Sequence, residues 1–165
     1  MYVITHALAP VLLAAIADTI GLERTGLRSL RGAHFLAIGL AGAAPDLLSP
    51  HLSLEARFSS WSHTLWFLVL AVPVAVLVAR RFFRSDAKAM ALWMITGVLL
   101  HLTCDAIAGG IAWSYPLSPD VLGDYFVHWN WWLEIDIFHV VIVSLLVLWL
   151  RRRERLLLDR PYVEL

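Results

Sequence analysis

Five long apolar segments set the pattern of this sequence, and polar or aromatic stretches separate them. A helix that spans a membrane needs about 20 predominantly apolar residues. The segments predicted to be helical lie at about residues 2–20, 34–48, 63–79, 87–107 and 134–150. The pattern therefore predicts an all-α fold. We expect a single membrane-embedded domain over residues 1–165, built as a bundle of about five helices with an aromatic outer loop at residues 109–133.

The second segment, residues 34–48, is the shortest of the five and is rich in Gly and Ala, which allows helices to pack closely. Its length is compatible with a tilted, a re-entrant or a partly spanning helix. The first segment lacks the basic stretch that begins a secretory signal peptide, so we expect it to be retained as a helix.

Basic residues lie almost entirely on one side of the predicted bundle. Of the 13 Lys and Arg residues, only Arg57 falls on the opposite side. The positive-inside rule makes the basic side cytoplasmic, so the N-terminus is outside and the C-terminus is in the cytoplasm. Asp18, near the inner end of the first helix, is expected to pair with a basic loop residue or to face the bundle.

Composition supports the membrane assignment. Only 16% of the 165 residues are charged and 60% are hydrophobic, whereas soluble domains carry about 25% charged residues. The formal net charge is zero with His neutral, so the sequence gives no support to a nucleic-acid partner, and the predicted partner is the lipid bilayer. The single cysteine, Cys104, excludes an internal disulfide, and the oligomeric state stays open.

Histidine and aspartate residues gather at one depth of the predicted bundle. Six of the seven histidines fall in its outer half, and only His34 does not. Ionisable residues inside a membrane are costly and usually mark function. His101 and Asp105, at positions i and i+4 of the fourth predicted helix, share one helical face. Five residues on four helices form the predicted metal site: His6, Asp46, His63, His101 and Asp105.

Imidazole and carboxylate ligands together suit a divalent metal. Zinc is the first choice, and manganese and iron are alternatives. Five ligands exceed one tetrahedral zinc ion, so two metals or one metal of higher coordination number fit the set. His139 on the fifth helix is predicted as an additional ligand, and Asp136 and Glu134 as the catalytic groups that transfer protons. His51 and His128 are expected to be exposed loop residues.

Other interpretations stay open at this point. The polar residues could only bond helices together, could hold a metal without catalysis, or could line a transport path. The sequence has no H-E-x-x-H, G-x-S-x-G, P-loop or G-x-G-x-x-G motif, so zincin, serine hydrolase and nucleotide-binding functions lack their usual support. The aromatic loop is expected to form an interfacial belt, or a lid that also grips a lipid-like substrate.

Four short elements, in this order along the chain, carry a resemblance to a known family. They are His6, Pro45-Asp46, the SHT triplet at residues 62–64, and HLTCDAIAGGIAWSYPLS at residues 101–118. Together they resemble a family of bacterial inner-membrane, metal-dependent hydrolases that is often described as LexA-regulated. The resemblance implies a multi-pass protein of the inner (cytoplasmic) membrane that hydrolyses a substrate of unknown identity.

The chain departs from that family's pattern at two elements. Leu48 and Ser49 stand where the P-D-x-D-H element has its second Asp and its His, and RFSSW at residues 57–61 replaces the H-R-G half of another element. The resemblance therefore implies fewer ligands here than in the fuller pattern. The arrangement is also similar to zinc-dependent phospholipase C, which implies a phospholipid or another lipid-linked ester as the substrate.

Overall fold

Five α-helices make up most of the structure, a computed structural model that describes residues 3–50, 53 and 55–158. The helices are α1 (Val3–Thr25), α2 (Gly32–Leu48), α3 (Leu65–Phe82), α4 (Ala87–Ile107) and α5 (Trp132–Leu158). Short 3₁₀ helices lie in the connections, at Glu55–Ser59, Trp61–His63 and Trp129–Trp131. The predicted all-α bundle is confirmed, since the described residues form no β-strand beyond isolated bridges in the outer loop.

The helix boundaries follow the apolar segments, with α4 as predicted and α1 and α5 longer than predicted. α5 continues through the basic segment after residue 150, because Arg is a good helix former and its stem can lie along apolar surface. α1, α3, α4 and α5 are long and apolar enough to cross a membrane. The 17 residues of α2 span only about 25 Å, which is less than a hydrocarbon core of about 30 Å.

α4 lies at the centre of the bundle. It packs against α1, α2 and α3, while α1 also packs against α2 and α5. The side chains buried between these helices are mostly small or aliphatic, such as Ala14, Ile38 and Met90. Large apolar side chains on α3 and α5 are exposed instead, among them Leu77 and Leu145. This distribution is the one expected for helices whose outer faces contact lipid.

Three helices meet at Gly42 of α2. A Cβ atom on Gly42 would lie 2.7 Å from Cγ of Pro10 in α1, and closer still to the carbonyl oxygen of His6. Pro10 has no N–H, so that carbonyl lacks its usual i+4 donor within α1. On the other side, a Cβ atom on Gly97 of α4 would lie 3.2 Å from the backbone nitrogen of Gly42. Small residues allow this close approach of membrane helices.

Asp18 joins the inner end of α1 to the loop that follows it. Its carboxylate is buried and accepts hydrogen bonds from Arg28 Nε at 2.9 Å, from the Ser29 backbone N–H at 2.8 Å and from the Leu30 backbone N–H at 3.0 Å. The expectation that Asp18 pairs with a basic loop residue is confirmed. Arg28 also reaches Glu154 of α5 at 3.3 Å, so one polar network links three parts of the chain at the basic end.

Candidate metal centre

Four side chains from three elements converge in the half of the bundle that the basic residues predict to be the outer one. α2 supplies Asp46, the 3₁₀ helix Trp61–His63 supplies His63, and α4 supplies His101 and Asp105. One ligand atom from each lies within 4.8 Å of all the others. Three of the four side chains are 0–3% exposed, whereas that of Asp46 is 12% exposed. We refer to these four residues as the cluster.

The spacing of the cluster atoms is close to that of ligands around one tetrahedral metal. The Nε2 atoms of His63 and His101 are 3.2 Å apart. Oδ2 of Asp105 lies 3.4 Å from each of them, and Oδ1 of Asp46 lies 3.2 Å from His63 Nε2 and 3.7 Å from His101 Nε2. Zinc binds N and O ligands at about 2.0–2.2 Å, which puts tetrahedral ligands about 3.3 Å from each other. The cluster could therefore hold a zinc ion with little movement.

Hydrogen bonds behind the cluster fix the tautomers of both histidines. His101 Nδ1 lies 2.7 Å from the carbonyl oxygen of Gly42, which can only accept, so Nδ1 carries the proton. The Ser62 hydroxyl donates to the Pro45 carbonyl at 2.8 Å, so it accepts from His63 Nδ1 at 3.1 Å. In the neutral form of each ring, Nε2 then presents its lone pair to the cluster. Partners of this kind orient the histidine ligands of metal sites.

The electrostatics of His63 favour its neutral, metal-binding form. This residue lies just before α3, and burial lowers the pKa of its imidazole below the usual value, although the nearby Asp46 carboxylate opposes the shift. The imidazoles of His63 and His101 and the two carboxylates of the cluster meet at one point. A shared proton would satisfy only one pair of them, whereas a cation would interact with all four.

Two further residues bind the far oxygen of Asp105. Arg57 Nη1 donates to Oδ1 at 2.8 Å, and His6 Nε2 lies 3.2 Å from the same oxygen. Arg57 is 2% exposed and also donates to the Ala108 carbonyl at 3.2 Å. The His6 ring stacks on the His101 ring with centroids 4.0 Å apart. With Oδ1 held in this way, Oδ2 of Asp105 is directed at the cluster.

The structure brings together the five predicted ligands, with His6 at the edge. His6 contacts the cluster through Asp105, and its buried Nδ1 has no hydrogen-bond partner among the described residues.

The three residues of α5 that were predicted for the site are not part of the cluster. Asp136 accepts hydrogen bonds from the backbone and hydroxyl of Thr5, His139 Nδ1 donates to the Ile135 carbonyl of its own helix at 2.8 Å, and Glu134 is exposed.

His128 and His51 are the two histidines expected to be exposed loop residues. His128 is exposed and accepts a hydrogen bond from the Asn130 backbone, as expected for a loop residue. His51 lies outside the described residues.

Arg57 contacts the cluster although the sequence did not lead us to assign it to the site. The available signal was its position, since it is the one basic residue on the outer side of the topology.

The outer loop folds back over the end of α4. Ile111 and Leu122 exchange backbone hydrogen bonds of 3.1 and 2.9 Å. Gly109 and Gly110 have φ values of +120° and +86°, which L side chains rarely adopt. The Trp113 carbonyl accepts from the Leu65 N–H at 2.9 Å. The loop therefore connects the C-terminal end of α4, which carries half of the cluster, to the start of α3.

Comparison with known proteins identifies the family. A family model described as YdjM inner membrane protein matches residues 1–159, which include all five helices and every cluster residue. The chain belongs to this family. Searches of curated proteins and of solved structures find no match.

Membership in the YdjM family confirms the predicted location in the bacterial inner membrane, and the apolar helices agree with a multi-pass protein. The family description names neither a reaction nor a regulator. What this YdjM family chain does must therefore be inferred from the cluster. The imidazoles and the Asp105 carboxylate are oriented by hydrogen bonds on the side away from the cluster. Imidazoles and carboxylates gathered in an apolar bundle are a donor set that suits a divalent cation.

Proposed function

We propose that this protein is a membrane-bound, metal-dependent hydrolase whose site faces the extracytoplasmic side and acts on a phospholipid or another lipid-linked ester. The proposed metal is zinc, with manganese or iron as alternatives. His63, His101, Asp46 and Asp105 would hold it. The observation that supports this proposal best is the convergence of four ligand atoms within 4.8 Å of one another, three of them on side chains that are 0–3% exposed.

If the cluster had only a structural role, the burial of its two carboxylates would carry a large desolvation cost. An ionised carboxylate inside an apolar environment costs several kcal/mol unless a positive group compensates it. Arg57 offers one positive charge, and the cluster contains two carboxylates. A bound divalent cation would reverse the sign of the local charge from negative to positive. A site with one net positive charge would favour an anionic substrate such as a phosphoester.

A divalent cation at such a site supplies Lewis-acid polarisation of a phosphoryl or carbonyl oxygen and lowers the pKa of water to about 7. The protein's own residues have separate tasks. Asp46 is the most exposed member of the cluster, so substrate would approach from its side. His6 donates to Asp105 through Nε2 and keeps Nδ1 available in a buried position. We assign the proton-accepting role to His6 rather than to Asp136, which is bonded to Thr5, or to the exposed Glu134.

A second candidate function is metal binding without catalysis. Four protein ligands around one zinc are typical of closed structural sites, whereas catalytic zinc usually keeps a position for water or substrate. The four-membered cluster agrees with the closed type. Catalysis then requires that the cation accept a fifth ligand or that the outermost ligand, Asp46, give way.

Metal analysis of the purified protein tests the proposal first. Wild type in detergent is expected to carry about one zinc equivalent per chain, and His101→Gln and Asp105→Asn are expected to lose most of it. His128→Gln, in the exposed part of the outer loop, is the matched control and should retain wild-type content. Unchanged metal content in both cluster variants would overturn the metal site.

Hydrolysis assays then separate the two candidate functions. Wild type should hydrolyse a chromogenic phosphodiester or a lipid ester, lose this activity with a chelator and regain it when the metal is added back. His6→Gln should retain the metal, because the Gln amide can still donate to Asp105 and His6 is not one of the four ligands, and should lose most of the activity, because an amide accepts no proton. Tight metal binding with no turnover of any phosphoester or carboxylic ester would support the non-catalytic alternative instead.

A further inference from the structure

A lipid-facing groove runs alongside the cluster. Its volume is about 580 Å³, and α2, α3, α4 and Trp61 form its walls. α2 and α3 both pack against α4 and scarcely touch each other, so a gap is left between them over the surface of α4. The groove walls are built from apolar residues throughout. Leu70, Val74 and Leu77 of α3 are each more than half exposed, so the groove opens sideways toward lipid.

The outer end of this groove adjoins the cluster. Met94 and Val98 line it from α4 and lie seven and three residues before His101, so the three side chains share one face of that helix. Trp61 lines it as well and lies two residues before His63. The ring of Trp61 meets Phe67 edge to face, with centroids 5.2 Å apart. The groove therefore leads along α4 toward His101 of the cluster.

The length and direction of the groove match one leaflet of a bilayer. Along α3 it runs from Phe67 to Leu77, and ten residues of helix rise about 15 Å. Half of a hydrocarbon core is also about 15 Å thick. With the N-terminus outside, the end next to the cluster lies toward the outer surface and the other end lies toward the bilayer centre, as a lipid of the outer leaflet requires.

We infer that the groove between α2 and α3 holds one acyl chain of an outer-leaflet lipid substrate, so that the ester or phosphodiester next to that chain lies beside the cluster. This inference rests on the proposed function and extends it to the recognition of the substrate. Lipid tails are as apolar as the groove walls, so the groove gains little hydrophobic energy. Its contribution is position: it holds a reacting bond of a laterally diffusing lipid next to the site.

Photo-crosslinking tests occupancy without relying on catalysis. The full-length protein is placed in nanodiscs that contain phosphatidylglycerol with a diazirine at the end of one acyl chain, and adducts are located by mass spectrometry. We expect adducts to concentrate on groove residues of α3 and α4, such as Leu77 and Met94. Ala71→Phe, which fills the groove, should lower this labelling several-fold. Val72→Phe, on the adjacent lipid-exposed position outside the groove, should not change it.

Turnover measurements add a second readout. Ala71→Phe should lower hydrolysis of a long-chain lipid at least tenfold relative to hydrolysis of a water-soluble short-chain ester, and the smaller obstruction in Ala71→Leu should give an intermediate ratio. Labelling spread evenly over all lipid-facing helices, or equal effects of Ala71→Phe and Val72→Phe, would overturn the groove assignment. Absence of metal-dependent turnover in wild type would overturn the proposed function, and the crosslinking result would still report on the groove.

Discussion

Gly42→Ala is the substitution for which the structure predicts the sharpest effect. The new methyl carbon would lie 2.7 Å from Cγ of Pro10, whereas ordinary contacts of this type begin at 3.4 Å. α1 and α2 must therefore separate by at least about 0.7 Å, and neither the proline ring nor the nearby His6 backbone can rotate away. Overpacking of this kind costs about 1–3 kcal/mol. We expect the free energy of unfolding to fall by that amount.

The same substitution should also weaken metal binding. The Gly42 carbonyl accepts the hydrogen bond that orients His101, and the separation of the helices would displace this acceptor. Complete loss of such a partner costs about 10–100-fold in metal affinity, which is the upper limit for the expected effect. Thermal unfolding in detergent and a zinc-competition titration measure the two effects. Gly21→Ala is the matched control, because a Cβ atom there meets nothing within 4 Å. Equal stability and equal zinc affinity of the two variants would refute the reasoning.

The other predictions concern the contacts around the cluster and at the inner end. The hydroxyls of Ser62 and Ser60 lie 3.1 and 3.2 Å from His63 Nδ1, so the double substitution Ser60→Ala and Ser62→Ala removes both acceptors and should weaken zinc binding about 10–100-fold in the same titration. The exposed Ser59→Ala should leave it unchanged, and equal affinities would argue against the assigned tautomer. Arg57→Met leaves Asp105 without its guanidinium partner and should lower the unfolding free energy of the metal-free protein by about 3–5 kcal/mol. A loss below about 1 kcal/mol would show that the pair matters little. Asp18→Asn, at the opposite end of α1, should lower thermal stability and leave zinc content at the wild-type level, and any loss of zinc would contradict the separation of the two networks.

Hydropathy was sufficient to predict the fold because each helix is apolar over most of its length. It predicted the bounds of α4 to the residue. Depth in the membrane then followed from the basic residues, and depth alone was enough to group the cluster residues. The sequence was also sufficient to place His101 and Asp105 on the same helical face, since i and i+4 positions share a face in any α-helix.

The rotation of a helix about its own axis could not be predicted in the same way. Asp136 has a depth similar to that of the cluster residues, but packing turns it toward the start of α1, where it accepts from the Thr5 N–H. The first N–H groups of a helix have no acceptor within the helix, so a buried carboxylate there satisfies a need that the sequence pattern does not reveal. His139, one turn later on α5, bonds within its own helix.

Arg57 is a basic residue on the side of the bundle that the positive-inside rule assigns to the exterior. The positive-inside rule applies to basic residues that face the aqueous phases or the headgroups, and Arg57 does neither, because it is 2% exposed and donates to Asp105. A buried guanidinium contributes to the charge of the site rather than to the orientation of the chain. One basic residue on the outer side is therefore consistent with a cytoplasmic C-terminus, and its position there is explained by its ion pair with Asp105.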